Sequence, residues 1–145
     1  MRWSNVPIPE PHLVGLVMGA ILQVLFPLRL FQLPWIGLAM GLPLFLSGAG
    51  LCAWSVLEAK EMNIASPNRL LTSGPYALSR NPMYVGWTLI YIGITLAVNS
   101  VWILGLLPLV ILYIHFVETR KEEQRLAEQF GDDYHNYRRQ VRRYL

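Results

Sequence analysis

Apolar residues fill four long blocks of the chain, and short polar stretches separate them. The blocks run over residues 12–31, 34–57, 83–98 and 101–117. A helix that crosses the hydrocarbon core of a bilayer needs about 20 mostly apolar residues, with a range of about 17–25. The pattern therefore predicts an all-α fold, a polytopic membrane helical bundle of about four transmembrane helices in a single domain over 1–145.

Proline and glycine mark the ends and the faces of these predicted helices. Pro27 is expected to kink the end of the first helix, and Pro34 opens the second. Four glycines of the second helix suit close helix packing in lipid, namely Gly37, Gly41, Gly48 and Gly50. Asn99-Ser100 is the only polar break between the third and fourth blocks, so the sequence predicts a tight helical hairpin there.

The composition turns polar after the fourth block, over the tail 118–145. Residues 118–130 are expected to form a charged helix that Gly131 ends. A second, basic amphipathic helix is expected to run on to Leu145, with tyrosines at helical spacing on one face. Such a helix either lies on the cytoplasmic leaflet or docks on the bundle as a solvated helix.

Charge adds an orientation to this picture. The chain is 54% hydrophobic and 14% charged, whereas soluble domains carry about 25% charged residues. Eleven of the twelve Lys and Arg residues lie in segments that four spans would place on one side, and Arg29 alone lies opposite. The positive-inside rule predicts an integral membrane protein with both termini and the 58–82 loop in the cytoplasm. The tail suits anionic membrane lipids, and no nucleic-acid partner is expected.

Several other classes of site find no support in the sequence. Cys52, the only cysteine, lies in an apolar run, so we expect an inert thiol and no disulfide within the chain. Three scattered histidines give no metal-ligand spacing, and no metal is expected. No phosphate-binding glycine loop, hydrolase triad or signal peptide is expected either.

The charged helix after the fourth block carries a carboxylate where an apolar residue is expected. Glu122, Leu126 and Phe130 are four residues apart and share one helix face. One interpretation is an ordinary charged helix next to the membrane. The other is that Glu122 and Glu123 point inward and meet a cationic ligand.

Two further ionisable residues allow two interpretations each. Arg80 lies between Tyr76 and Tyr84 at the start of the third helix, where it either anchors the span or binds a carboxylate or a ribose. His115 lies one turn before Glu118 near the cytoplasmic end of the fourth block. An ionisable residue inside a span is a functional candidate, although one at a helix end also snorkels to the interface.

Two motifs flank the predicted hairpin. The first reads Leu71-x-x-Gly74-Pro75-Tyr76-x-x-x-Arg80-Asn81-Pro82-x-Tyr84-x-Gly86. The second reads Glu122-Glu123-x-x-Leu126-x-x-x-Phe130-Gly131-x-x-Tyr134-x-x-Tyr137. Together they resemble the isoprenylcysteine carboxyl methyltransferase and phospholipid methyltransferase superfamily, over about residues 66–143. One departure is Asn81, where the carboxyl methyltransferases often have a histidine; an asparagine cannot titrate.

The resemblance implies an integral membrane methyltransferase that uses S-adenosylmethionine at the cytoplasmic face. It places the cofactor against Leu71, Gly74, Tyr76, Asn81, Pro82, Tyr84, Glu122 and Glu123. The expected catalytic residues are Arg80, with Glu118 or His115 as the base for an acceptor that loses a proton. The acceptor is lipophilic: a prenylcysteine-like carboxylate, or else a lipid amine, a thiol or a small isoprenoid. The alternative is a non-catalytic membrane protein that keeps the fold for binding or assembly.

Overall fold

The computed structural model describes residues 10–60 and 68–145, and over these residues the chain is helical without any β-strand. The helices are α1 (Glu10–Leu25), α2 (Pro34–Glu58), α3 (Pro82–Val98), α4 (Val101–Tyr113) and α5 (Thr119–Gln140). A 3₁₀ turn over Gly74–Ala77 precedes α3. A π-helical turn over Ile114–Glu118 joins α4 to α5 without a break. The all-α class predicted from the sequence is confirmed.

Within the described part of the chain, two helical stretches are long and apolar enough to cross a membrane on length and composition alone. They are α2, with 25 residues, and the continuous stretch Val101–Gln140, whose apolar part is α4. The helices α1 and α3 are apolar but shorter. Helix length therefore supports two spans, and the four-span arrangement stays a prediction.

Small residues let α2 and α3 pack closely along their length. A Cβ added at Gly48 would lie 2.5 Å from the carbonyl oxygen of Gly86, and one added at Gly93 would lie 2.6 Å from the amide nitrogen of Phe45. Close backbone approach of this kind is typical of helix pairs in lipid. Gly50 does not belong to this seam, because a Cβ there would meet nothing within 4 Å; its predicted packing role is wrong.

The other main helix pair is α1 with α4. Behind it lies a buried cluster in which the Tyr91 hydroxyl donates to the Ile103 carbonyl oxygen at 2.8 Å. The hairpin turn predicted at Asn99-Ser100 is confirmed: Asn99 ends α3 with a φ of +59°, and the Ser100 hydroxyl accepts the Ile103 amide at the start of α4. Each helix of that hairpin nevertheless packs mainly on another partner, α3 on α2 and α4 on α1.

The turn between α1 and α2 meets the turn between α3 and α4. The Asn99 side chain accepts from the Phe31 amide at 2.8 Å and donates to the Phe31 carbonyl at 2.8 Å. Trp102 donates to the Phe26 carbonyl at 2.6 Å. These contacts place both turns at one end of the bundle, so the loop before α3 and the segment after α4 lie at the other end.

Two predicted helix ends are wrong. The first helix ends at Leu25 instead of Phe31, because Pro27 lacks an amide hydrogen and its ring disfavours helical geometry in the residue before it. The last helix ends at Gln140 instead of Leu145, and Val141 is extended (φ −118°, ψ 133°). The predicted break at Gly131 is confirmed, because a φ of +50° there kinks α5.

Candidate active site

The polar loop before α3 takes its shape from glycine and proline. Gly74 has a φ of +58°, which favours glycine, and a Cβ there would lie 2.8 Å from Oε2 of Glu58. Pro75 follows within the 3₁₀ turn. Pro82 occupies the first position of α3, where the missing amide hydrogen is not needed. Residues 76–81 are thereby held at the N-terminal end of α3.

Arg80 is buried and paired. Its Nη1 donates to Oε1 of Glu123 at 2.7 Å and to the hydroxyl of Tyr134 at 3.2 Å. Only 9% of the side chain is exposed, and its buried Nε has no hydrogen-bond partner among the described residues. Both of these contacts go through Nη1.

Glu123 is shared by two guanidinium groups. Besides Arg80, it binds Arg143 through both oxygens: Nε of Arg143 donates to Oε1 at 3.0 Å and Nη2 donates to Oε2 at 2.7 Å. A two-pronged arginine–carboxylate pair of this kind is among the stronger hydrogen-bonded contacts. Glu123 therefore ties Arg80 on the loop to the last residues of the chain.

The last residues also bind the loop through their backbone. We call residues 141–144 the C-terminal strap. The Arg80 amide donates to the Arg142 carbonyl at 2.9 Å. The Arg143 carbonyl accepts from the Ser79 hydroxyl at 3.3 Å and from the Asn81 side-chain amide at 3.1 Å. These contacts explain why α5 stops at Gln140: the strap backbone is paired with the loop instead of with the helix.

Two tyrosines of α5 pack against the same loop. The hydroxyl of Tyr137 donates to the Tyr76 carbonyl at 2.6 Å. The hydroxyl of Tyr134 accepts a hydrogen bond from Nη1 of Arg80. Burial raises the pKa of both α5 tyrosines, so each phenol keeps its proton at neutral pH. Their periodic placement in the sequence thus marks a docking face and not a membrane-surface face.

A cavity of about 650 Å³ opens beside this cluster. Its polar end is lined by side chains from the loop, the start of α3 and the π turn with α5, namely Tyr76, Arg80, Asn81, Tyr84, Glu118 and Glu122. Its apolar walls are two helical stripes together with Met83 and Trp87 of α3. The stripes are Pro11, Val14, Gly15 and Met18 on α1 and Leu106, Leu109, Val110 and Tyr113 on α4. One ligand with a polar and an apolar part, or two ligands side by side, fit such a space.

Glu122 lies in the cavity wall and is half-buried. Burial is the main cause that raises the pKa of Glu122; Arg125 lowers it, and the carboxylates of Glu118 and Glu123 raise it further. Burial, followed by the charge on Glu122, also raises the pKa of Tyr76. A carboxyl group with a raised pKa in a cleft is a functional candidate.

The predicted site residues divide into two groups. The structure brings most of them to the cavity, namely Tyr76, Arg80, Asn81, Pro82, Tyr84, Glu118 and Glu122. The others lie outside its wall, namely Leu71, Gly74, His115 and Glu123. Gly74 shapes the turn, Glu123 binds the two arginines, and Leu71 is half-buried in the loop.

His115 binds the C-terminal strap. Its Nε2 lies 3.2 Å from Nη1 of Arg143, and its Nδ1 lies 3.2 Å from the hydroxyl of Tyr144. Because an arginine only donates, Nε2 accepts, and a neutral ring carries its proton on Nδ1. That nitrogen then donates to Tyr144.

Sequence reasoning missed three parts of this site. The wall residues of α1 and of α4 each repeat at i, i+3, i+4 and i+7, which is a visible signal of one helix face. Glu10, at the first position of α1, also lines the cavity and had no signal of its own. Arg143 was one of several tail arginines, and no pattern in the sequence separated it from them.

Among residues 10–60 and 68–145, no three His, Cys, Asp or Glu side chains come together as metal ligands.

Comparison with known proteins identifies the family. The model of the phospholipid methyltransferase family matches residues 36–133, which is more than half of the chain. The chain belongs to this family of membrane methyltransferases, which confirms the resemblance seen in the two motifs. No curated protein and no solved structure matches the chain. The matched range includes the loop and most of α5, and it leaves out α1 and the C-terminal strap.

Proposed function

From membership of the phospholipid methyltransferase family, we propose that the protein transfers a methyl group from S-adenosylmethionine to a lipophilic acceptor at the cytoplasmic face of a membrane. The observation that carries this proposal is the cavity, which joins a charged end to two apolar helix stripes. A polar cofactor from water and an acceptor from the bilayer meet in such a space.

We further propose four membrane spans, formed by α1, α2, α3 and α4 with its π turn. The pairing of Asn99 with Phe31 supports this, because it puts both helix-connecting turns at one end of the bundle. Four spans would place eleven of the twelve Lys and Arg residues of the sequence on the other side, which the positive-inside rule assigns to the cytoplasm. The cavity's charged residues lie at that end as well.

The side chains at the charged end suit S-adenosylmethionine. When bound, this cofactor supplies a methyl group activated by a positively charged sulfur. The carboxylate of Glu122 suits its cationic groups, and Nη2 of Arg80 suits its carboxylate. Tyr76, Asn81, Pro82 and Tyr84 form the wall around it. In this proposal Leu71, Gly74 and Glu123 support that wall without touching the ligand.

The charge of the cavity favours an amine among the possible acceptors. Three carboxylates line the space, those of Glu10, Glu118 and Glu122, and a single guanidinium, that of Arg80, lines it and is bound to Glu123. An acidic cavity attracts an ammonium group and repels a carboxylate. A lipid amine is therefore favoured over a prenylcysteine-like carboxylate.

An ammonium group has to lose a proton before its nitrogen can attack a methyl carbon. We propose that Glu118, which lines the cavity at the end of the π turn, accepts this proton as the general base. With an amine as acceptor, Glu118 would take up this proton and bound S-adenosylmethionine would supply the methyl group, its sulfur keeping the electron pair of the carbon–sulfur bond. His115 is assigned a different task, because its Nε2 accepts from Arg143.

Cofactor binding by calorimetry on the purified protein in detergent tests this function against the alternative of a non-catalytic membrane protein. We expect saturable binding of S-adenosylmethionine and of its demethylated product. A lipid extract incubated with methyl-labelled cofactor should then yield labelled lipid, and amine-bearing lipids should be labelled in preference to carboxylate-bearing ones. Absence of cofactor binding in a folded protein would favour the non-catalytic alternative.

A further inference from the structure

We propose that Arg143 is a positioning residue of this site, which acts on the bound cofactor through Glu123 and Arg80. The inference rests on the proposed function, because it needs a cofactor at Arg80. It assigns a task to a residue outside the family match and outside both sequence motifs.

The geometry of the shared carboxylate gives the mechanism. Arg143 occupies Oε2 of Glu123 and one side of Oε1, so Arg80 reaches this carboxylate through Nη1 alone. Without Arg143, Glu123 is free to take the planar fork of Arg80 through both oxygens, which is the geometry such pairs prefer. That pairing turns the Arg80 guanidinium toward Glu123 and away from the cavity. Arg143 thus keeps Nη2 of Arg80 available to a ligand.

The strap backbone fixes the same arginine from its other side. The Arg80 amide donates to the Arg142 carbonyl, and the neighbours Ser79 and Asn81 both donate to the Arg143 carbonyl. The position of the Arg80 backbone therefore depends on the strap. Arg143 combines both functions, because its side chain orders Glu123 while its carbonyl group holds the loop.

His115 orients the Arg143 side chain. It accepts from Nη1 of Arg143, so the three nitrogens of that guanidinium are divided between Glu123 and His115. Tyr144 contacts the same histidine and lies 3.4 Å from the hydroxyl of Thr119. The contacts leave the guanidinium little freedom to rotate, as a positioning residue requires.

A double-mutant cycle on cofactor affinity tests this assignment. The variants are Arg143→Ala, Arg80→Ala and the two together, with S-adenosylmethionine binding measured by calorimetry in detergent. We expect Arg143→Ala to weaken binding about tenfold, the effect of losing one charge-assisted hydrogen bond. In the Arg80→Ala background the same change should leave affinity within about twofold. The unfolding temperature should fall on Arg143→Ala in both backgrounds.

Amide hydrogen exchange gives a readout that needs no cofactor. The amides of residues 79–81 should exchange faster in Arg143→Ala than in the parent, because the strap loses the side-chain contact with Glu123 that holds it against the loop. Arg139→Ala is the matched control: it removes a tail arginine whose side chain is exposed on the last turn of α5. It should leave both exchange and affinity unchanged. If Arg143→Ala does not fold, Arg143→Lys keeps the charge without the fork and takes its place.

Three outcomes overturn the inference. An equal loss of affinity in both backgrounds would show a merely structural strap. Exchange and affinity in Arg143→Ala that match Arg139→Ala would show that the Arg143 side chain does not hold the loop or Arg80. Either result leaves the proposed function standing as long as the parent protein binds the cofactor. A parent that binds no S-adenosylmethionine overturns the proposed function together with the inference.

Discussion

The side-chain amide of Asn81 donates to the backbone carbonyl of Arg143 at 3.1 Å, and Asn81 is buried. The amide at this position, where related carboxyl methyltransferases often have a histidine, is therefore engaged with the strap. A neutral amide makes this contact at any pH, whereas a histidine would titrate. The asparagine at position 81 therefore affects how the strap is held. The choice of acceptor depends instead on the carboxylates that line the cavity.

The two neighbouring glutamates should respond differently to substitution. Glu122→Gln removes a carboxylate from the cavity wall, so cofactor affinity should fall about tenfold without loss of folding. Glu123→Gln leaves Arg80 and Arg143 side by side without their shared counter-charge, so it should lower both affinity and the unfolding temperature. Calorimetry and thermal unfolding measure the two effects. Glu128→Gln, at an exposed position of α5, is the control. Unchanged cofactor affinity in both variants would show that this part of α5 is an ordinary charged helix without a role in binding.

Glu122 should make stability depend on pH. Its pKa is raised in the folded protein, so the folded state binds the proton more tightly than the unfolded state does. This contribution is fully present below the ordinary value of 4.5 and is lost as pH rises through the folded pKa. Glu122→Gln should therefore unfold at a higher temperature than the parent at pH 7–8. The difference should shrink as pH falls toward 4.5, and a difference that is flat with pH would contradict the assignment.

Arg80 should not be replaceable by lysine. Arg80→Lys keeps the positive charge, so membrane insertion should survive, but a lysine cannot bind Glu123 and a ligand with two separate nitrogens. Methyl transfer should fall at least tenfold at matched protein abundance, measured with labelled cofactor and a lipid extract. Arg139→Lys, on the exposed end of α5, should behave like the parent. A rate for Arg80→Lys within twofold of the parent would reduce Arg80 to a topological anchor.

The helices α1 to α4 could be predicted from the sequence because each lies in a long apolar block that Pro or Asn separates from its neighbours. The two ends that were wrong depend on other causes. The first, at Leu25, has a local cause, because Pro27 ends the helix within the apolar block. The second, at Gln140, depends on a partner far away in the sequence, because the strap leaves the helix to pair with Ser79, Arg80 and Asn81.

The site residues likewise divide into those with a local sequence signal and those whose position depends on distant parts of the chain. Tyr76, Tyr84 and Glu122 carry motif signals, and the structure places them around one cavity. The separate positions of the paired glutamates could not be predicted, because neighbouring helix residues face different directions and only the fold decides which one meets the loop. Arg143 could not be singled out either, since its partner Glu123 lies on the preceding helix and several equivalent arginines surround it.

The four-span topology predicts opposite accessibility for the two ends of the bundle. Gln32 is exposed in the turn between α1 and α2, and Asn136 is exposed on α5. Single cysteines at these positions, in a Cys52→Ala background, should react differently with a reagent confined to the outside of intact cells. Position 32 should be labelled and position 136 should not. Asn99 is unsuitable as a probe, because its buried side chain holds the Phe31 backbone. The reverse pattern would invert the orientation.

The apolar stripe of α1 should set which acceptors fit the cavity. Met18 lines the cavity, while Val17 beside it is exposed on the helix but does not line it. Met18→Trp adds a large rigid side chain to the space between α1 and α4, so methylation of long-chain acceptors should fall about tenfold or more. Cofactor affinity should stay unchanged, because Met18 lies more than two helical turns along α1 from Glu10 at the charged end.

Val17→Trp is the matched control, with the same added bulk on a surface-facing position. Labelled lipid from this variant should match that of the parent in amount and chain length. If Met18→Trp also matched the parent, the acceptor would have to enter by another route than the stripe of α1. If both variants lost cofactor affinity as well, the cause would be a disturbed α1, since Val17 does not line the cavity. Loss of acceptor methylation in Met18→Trp alone, at parental cofactor affinity, is the result that the α1 wall predicts.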